Sequence, residues 1–165
     1  MDAAHGDARI VTFVPAAAVR PLRLDVLRPG MPPEDAVFPG DDDPQTAHAA
    51  ILDADGEAVA AASIYRESRP NDAPGGAPVG ADHVAETAWR MRGVATAASQ
   101  RRTGAGTAVL AALDEYVREQ GGTLLWCNAR IEAVAFYESL GWHVLGDEFE
   151  IPTVGPHLVM ERQLD

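Results

Sequence analysis

No lysine occurs in the 165-residue chain, and all 13 of its basic residues are arginine. A Walker-type phosphate loop needs a lysine after its last glycine, so nucleotide-phosphate hydrolysis is disfavoured. Cysteine occurs once, as Cys127. An internal disulfide is therefore excluded, and a reducing compartment fits. No apolar run approaches the ~20 residues of a membrane span, and no signal-peptide pattern opens the chain. A cytoplasmic location, with no membrane partner, is the expectation. Positive charge is also scarce: the formal net charge of −12 argues against a nucleic-acid partner, though it leaves room for a local basic site. With 47% hydrophobic and 23% charged residues, the composition is that of a soluble globular protein. Neither a repeat nor a domain boundary is evident. The expectation is one domain over residues 1–165, with 1–8 frayed.

The chain is organised around Gln100-Arg101-Arg102-Thr103-Gly104-Ala105-Gly106-Thr107. Before it, Trp89 to Thr96 alternates bulky apolar residues with Arg90 and Arg92, which predicts a strand. After it, Ala105 to Gln120 sets Val109, Leu113, Tyr116 and Val117 on one helical face, and Gly121-Gly122 ends that helix. A helix beginning at such a turn offers backbone N–H groups that have no intrahelical acceptor, at the positive end of its dipole. The two glycines admit close approach to the backbone, and Arg101 and Arg102 add fixed charge. The turn suits a diphosphate or a similar anion. A dinucleotide fingerprint would need a third glycine where Val109 stands. An ordinary strand-to-helix turn has the same outline, so these residues alone leave both readings open.

The flanking segments are read in the same way. Arg9 to Val14 is a strand, and Pro15 to Leu27 a helix with Val19, Leu22, Val26 and Leu27 as its apolar stripe; Pro21 fits awkwardly, and the alternative is a later start with the proline in the first turn. Arg28 to Gln45, rich in proline and holding Asp41-Asp42-Asp43, is a loop long enough to be functional or mobile. Thr46 to Leu52 and Ala58 to Tyr65 form a hairpin about Asp55-Gly56. Arg66 to Asp82 is a second long loop, Thr123 to Cys127 an apolar strand, and Ile131 to Leu140 a helix stopped by Gly141. Trp142 to Gly146 and His157 to Leu164 close the chain as strands, joined by Asp147 to Pro156. The strand–helix–strand step makes Trp89–Thr96 and Thr123–Cys127 a parallel pair. The fold class is α/β (an α+β mixed sheet), mostly antiparallel, with helices on both faces.

Arg101-x-x-Gly104-x-Gly106 resembles the acetyl-CoA loop, Arg/Gln-x-x-Gly-x-Gly/Ala, of the GCN5-related N-acetyltransferases, the GNAT superfamily. Ala133-x-x-Phe136-Tyr137-Glu138-x-x-Gly141-Trp142 resembles the second hallmark of the same family. Two motifs in the right order, a strand apart, are far more specific than either alone. The resemblance spans Trp89 to Leu164, and more loosely Thr46 to Tyr65. The ending Gly155-Pro156-His157-x-x-Met160 is similar to a subgroup signature, and Phe38 to His48 to that subgroup's Asp-rich stretch ending in His.

The resemblance implies a GNAT-like fold whose parallel pair is splayed, acetyl-CoA as cosubstrate, and no metal. It implies direct acetyl transfer to a primary amine on a small-molecule or peptide acceptor, in a ternary complex. A homodimer is common in the family. The implied cofactor-binding residues are the main chain of Val94, Ala95 and Thr96 and the loop Arg101, Arg102, Thr103, Gly104, Ala105, Gly106 and Thr107. Tyr137 would protonate the departing thiolate, with a core tyrosine beside Phe136 as the alternative. Having no lysine, the chain has no lysine side chain of its own to acetylate.

One position departs from the family. Seven residues before the tyrosine, where asparagine is frequent, stands Arg130, which donates but cannot accept. It would reach an anion, either on the cofactor or as an acceptor carboxylate. Asn128 either compensates toward the cofactor or caps the following helix.

An alkylamine is mostly protonated at neutral pH, so a base is expected. His157, delivered by Pro156, is the first candidate, followed by His48 and Glu86, each with a structural role as its alternative. Cys127 is either an acyl nucleophile or buried packing, and Asp41–Asp43 either a cation or amine site or a solvated run. Two functions therefore stand: an acyl-CoA N-acyltransferase (N-acetyltransferase), and a CoA-binding sensor or structural module without chemistry. Intact Tyr137 and His157 favour the enzyme. The acceptor is undecided, because the acidic balance suits a cationic amine and Arg130 an acidic one.

Overall fold

A computed structural model describes residues 9–69 and 87–164. Seven strands form one mixed sheet: β1 (Thr12–Val14), β2 (Ala47–Leu52), β3 (Ala58–Arg66), β4 (Ala88–Thr96), β5 (Leu124–Arg130), β6 (His143–Ile151) and β7 (Gly155–Gln163). Their order is β1-β2-β3-β4-β5-β7-β6. The α-helices among the described residues are α1 (Ala16–Leu27), α2 (Ala105–Glu119) and α3 (Val134–Ser139). The chain divides into two compact units, Met1–Ser63 with Gly93–Leu113, and Ile64–Arg92 with Asp114–Asp165.

In the first unit the β2–β3 hairpin forms as its Asp-Gly turn predicts. Gly56 takes the left-handed φ of +80°, and the Asp53 carboxylate accepts the amides of Asp55 (2.9 Å) and Glu57 (3.0 Å). The α1 stripe buries Val19 and Leu22 against Ala50, Ala61 and Ala95. Pro21 does not delay the helix, which starts at Ala16 and carries the proline on its exposed side. A missing N–H and a clash within a helix cost roughly 3 kcal/mol. Burial of the stripe offsets that.

The connection between α1 and β2 is neither featureless nor loosely held. It contains a 3-10 turn, Pro33–Ala36, and is anchored by Asp41. Asp41 is buried and pairs with Arg23 of α1 through both carboxylate oxygens, at 2.8 and 3.0 Å. The triplet Asp41–Asp43 is thus not a uniform solvated run: Asp42 and Asp43 are exposed, and Asp41 is a core residue.

The second unit is built on β5. Its buried stretch Leu124–Cys127 reads as a continuous apolar run because a central strand is covered on both faces. It pairs in parallel with β4 at Ala88↔Leu124, Trp89↔Leu125 and Arg90↔Trp126, and antiparallel with β7 from Leu124↔Gln163 to Arg130↔His157. Gly122 is required by proximity: a Cβ there would sit 2.3 Å from Val117 and 2.6 Å from Trp89.

Besides β1, which begins at Thr12 and not at Arg9, three boundaries differ from expectation. First, β5 runs on to Arg130, so Asn128 is a strand residue opposite Val159 and does not cap the helix. Second, the segment after β5 is a 3-10 turn, Ile131–Ala133, followed by the short α3. Third, most of Asp147–Pro156 is strand, with β6 reaching Ile151 past a register shift between Leu145 and Phe149. That irregularity, with Gly146 at φ +71°, breaks the alternation that would have marked the strand. The second long loop lies outside the described residues from position 70 onward.

Removing one partner of a buried ion pair strands the other charge. Asp41→Ala should therefore destabilise the protein by about 3–5 kcal/mol. Asp42, whose side chain is 89% exposed and lies 3.9 Å from Arg20, should tolerate the same change within about 0.5 kcal/mol. Urea unfolding of the two variants checks the contrast, and equal losses would contradict it.

Candidate active site

The first unit carries the glycine turn. After β4 the chain makes a 3-10 turn, Ala98–Gln100, and Arg101 returns to an extended conformation. Arg102 at φ +62° and Gly104 at φ +87° are both left-handed. Glycine adopts that conformation freely, whereas arginine rarely does. The turn is held from within by the Thr103 hydroxyl on the Gln100 carbonyl (2.6 Å), and from outside by the Arg9 guanidinium on the Thr103 carbonyl. Ala108 donates to the Gly104 carbonyl (3.0 Å). Helix geometry places the amides of Ala105, Gly106 and Thr107 ahead of that bond.

Arg101, Arg102, Thr103, Gly104 and Thr107 are exposed, Gly106 is half-buried, and Ala105 is packed in the core. A Cβ built on Gly104 meets nothing within 4 Å, so this side of the turn is open to an incoming group. The two glycines have different grounds. Gly104 is needed for its backbone angle, and Gly106, already helical, for the bare first turn it leaves. On β4, Ala95 points into the core beside Val19 and Leu22, and Val94 and Thr96 are half-buried.

The same unit holds His48 inside a directed hydrogen-bond chain. Arg23 donates to the Ser63 hydroxyl (2.9 Å), which lies 2.6 Å from His48 Nδ1, and His48 Nε2 is 2.9 Å from the Asp41 carbonyl. A carbonyl only accepts and a guanidinium only donates. Nε2 therefore carries the proton, and the Nδ1 lone pair takes the Ser63 hydroxyl. Burial lowers the pKa of this ring below 6.5, and the neighbouring Arg23 charge adds to that. Arg23 and Ser63 were not singled out by sequence reasoning. The available signal was an arginine four residues after Val19, on the apolar stripe of α1.

The second unit gathers the remaining candidates. Tyr137 is buried in α3, edge-on to Phe136 (centroids 5.4 Å apart) and tilted against Trp142 (5.3 Å). Burial raises its pKa well above 10, and nearby Cys127 raises it further, so the phenol keeps its proton. Cys127 is buried as well, and desolvation pushes its thiol far above the ordinary range against a weaker opposing pull from Arg90. A thiol so held is packing, not a nucleophile.

Register sets Arg130 of β5 directly opposite His157 of β7, and His157 opposite Phe149 of β6. Residues paired in this way share a sheet face. The His157 ring lies 6.0 Å from the Phe149 ring, and its Nδ1 donates to the Gly155 carbonyl (2.8 Å). That bond makes Nε2 the acceptor atom of the neutral ring. Asn128 is half-buried two residues before Arg130. Glu86 lies outside the described residues. Among the described residues, no group of three or more His, Cys, Asp or Glu side chains could hold a metal ion. No described helix is long and apolar enough to cross a membrane.

The model of the acetyltransferase (GNAT) family matches residues 20–142. An uncharacterised N-acetyltransferase of Bacillus subtilis, YitI, is 30% identical over 143 residues, covering 87% of this chain and 88% of its own length. Among solved structures, an aminoglycoside 6'-N-acetyltransferase complexed with coenzyme A superposes with a TM-score of 0.67 at 14% identity, over 93% of this chain and 96% of its own. A GCN5-related N-acetyltransferase from Kribbella flavida gives 0.64 at 23% identity, over 96% and 99%. At these identities the structural likeness speaks for the fold.

The buried histidine makes stability depend on pH with a definite sign. A folded pKa below the unfolded one means that the unfolded chain binds the extra proton first. The contribution is thus complete above pH 6.5 and is lost as pH falls through the folded value. His48→Gln should flatten that acid slope, which for one proton is at most about 1.4 kcal/mol per pH unit. Unfolding free energies measured along a pH series would show it, and an unchanged slope would mean that His48 titrates as in a free peptide.

Proposed function

The chain belongs to the acetyltransferase (GNAT) family, and from that premise we propose that it transfers the acetyl group of acetyl-CoA to a primary amine by direct attack in a ternary complex. The observation that carries this reading is Tyr137, a buried phenol held protonated at the family's proton-donor position. In the proposed reaction the neutral amine attacks the thioester carbonyl, the C–S bond breaks, the thiolate takes the Tyr137 proton, and the proton shed by the new amide nitrogen restores the phenol. A phenol with a raised pKa is a weak acid in water. The same burial would raise the pKa of a thiolate forming beside it, which matches donor to acceptor.

His157 Nε2 receives the proton of the incoming ammonium, its tautomer set by the Gly155 carbonyl. The open left-handed turn, Arg101 to Thr107, takes the cofactor diphosphate on its amides and arginines. The main chain of Val94–Thr96 and the side chains of Asn128 and Arg130 serve the rest of the cofactor, with Arg130 also suited to an acceptor carboxylate. We take residues 1–165 as one cytoplasmic acetyltransferase domain, and Gly155-Pro156-His157-x-x-Met160 as the mark of its subgroup.

Two substitutions test the reading. Tyr137→Phe keeps the ring packing and deletes the proton. It should lower kcat by about 10²-fold, the low end for general acid catalysis because a thiolate leaves readily, with CoA affinity little changed. A Phe variant as fast as wild type across the pH range would make the phenol mere packing. Gly106→Val should weaken acetyl-CoA binding by about 10-fold or more without unfolding the protein. It is the cleaner probe of the turn, because any side chain at Gly104 is strained by its φ regardless of ligand. Calorimetry showing wild-type affinity in a folded Gly106→Val protein would remove the turn from the cofactor site. CoA-thiol release with a panel of amines is the assay, and CoA binding without turnover would instead indicate a sensor.

A further inference from the structure

Within β4, Gly93 has a left-handed φ of +66°, a conformation that glycine adopts freely and that interrupts a strand. What lies against it is the Arg23 guanidinium. A Cβ on Gly93 would stand 3.0 Å from Arg23 Nε and 3.6 Å from its Cζ, with the Phe38 ring at 3.5 Å. Glycine at 93 thus serves the backbone angle and the close approach of a cation.

That cation is held at both terminal nitrogens and covered on one face. Arg23 has no solvent exposure. Asp41 grips both terminal nitrogens, the Ala36 carbonyl accepts at 2.9 Å, and the Ser63 hydroxyl of β3 accepts at 2.9 Å. The Phe38 ring covers the guanidinium face, 4.2 Å from Cζ. Asp41 is itself pinned, since its Oδ2 accepts the Phe38 amide at 3.0 Å. A planar group held in this way is fixed in place beside Gly93. An apolar side chain would fill the space at less desolvation cost, and a buried ion pair can instead serve to define one arrangement.

We propose that Arg23, clamped by Asp41, is a positioning residue for acetyl transfer: it holds the Gly93 kink and so sets how the Val94–Thr96 backbone is presented to the pantetheine arm. This rests on the reading that those residues meet the cofactor. Arg23 touches no reacting atom. Its effect passes through the course of β4.

The decisive variant is the charge-free double substitution Arg23→Met/Asp41→Leu, a kind of replacement that buried ion pairs frequently tolerate. Arg23→Lys, which keeps the charge and loses the planar fork, is the second. Amide hydrogen exchange of Gly93–Thr96 in the unliganded protein is compared with that of Val109–Leu113 in α2, which takes no part in the Arg23 hydrogen bonds, alongside calorimetric titration with CoA. In folded variants the Gly93–Thr96 amides should exchange about 10-fold faster while those of α2 keep wild-type protection. CoA affinity should fall by about 10-fold. Wild-type protection at Gly93–Thr96 in either folded variant overturns the proposal, and so does faster exchange there with unchanged CoA affinity. If wild type itself fails to bind CoA, the cofactor reading falls and takes the reaction role with it. The exchange comparison then still decides whether Arg23 holds the kink.

Discussion

A fully buried arginine bound through both terminal nitrogens to a buried aspartate is the constraint on which the first unit depends. Removing two charges from water costs several kcal/mol per ion, and the pair offsets this by engaging both terminal nitrogens of the guanidinium in two hydrogen bonds each. Arg23 spends its other donors on the Ala36 carbonyl and the Ser63 hydroxyl, and its face on Phe38. Ser63 passes the hydrogen-bond direction to His48, and His48 returns it to the Asp41 carbonyl. The ring of bonds ties α1, the proline-rich connection, β2 and β3 together around one cation. The connection between α1 and β2 is ordered for this reason in spite of its composition.

The second unit solves a different problem, which is to present polar side chains from a central strand without leaving backbone groups unpaired. Pairing of β5 with β7 continues to Arg130, so polar residues at the strand end sit on a satisfied ladder. The β6 irregularity restores register at Phe149, and the row Arg130–His157–Phe149 follows from that. In and beside α3, Phe136, Tyr137 and Trp142 form an aromatic cluster whose polar handles are the phenol and the indole N–H. Burial both orients the Tyr137 ring and keeps its proton in place.

Much of the fold was legible in the sequence. The Asp-Gly hairpin, the strand–turn–helix around Gly104 and the two apolar helix stripes are local signals of period or turn chemistry, and each stands where expected. The family motifs marked the same turn and the same tyrosine. Legibility failed where a residue type has two meanings. Pro21 allowed a later helix start as well as an interior place, and it sits inside α1 on the exposed side, where the helix tolerates it. Asp147, Glu148 and Glu150 read as loop, yet they are strand residues whose alternation a bulge interrupts. Of the two readings of Asn128, the cap fails because pairing with β7 carries the strand beyond it.

By itself the sequence determined the kinds and order of elements, the glycine turn and the positions of the candidate acid and base, because these are written in spacings of a few residues. Tertiary structure alone decided which charges are buried. Asp41 and Asp42 are chemically identical neighbours, and they differ only because Arg23, 18 residues away, reaches one of them. It also decided protonation: the His48 tautomer, the His157 tautomer and the retained Tyr137 proton each depend on a carbonyl, a hydroxyl or a desolvated wall. The physical reason is that desolvation and hydrogen-bond direction belong to an environment assembled from distant segments, such as Arg23 and Ser63, 40 residues apart.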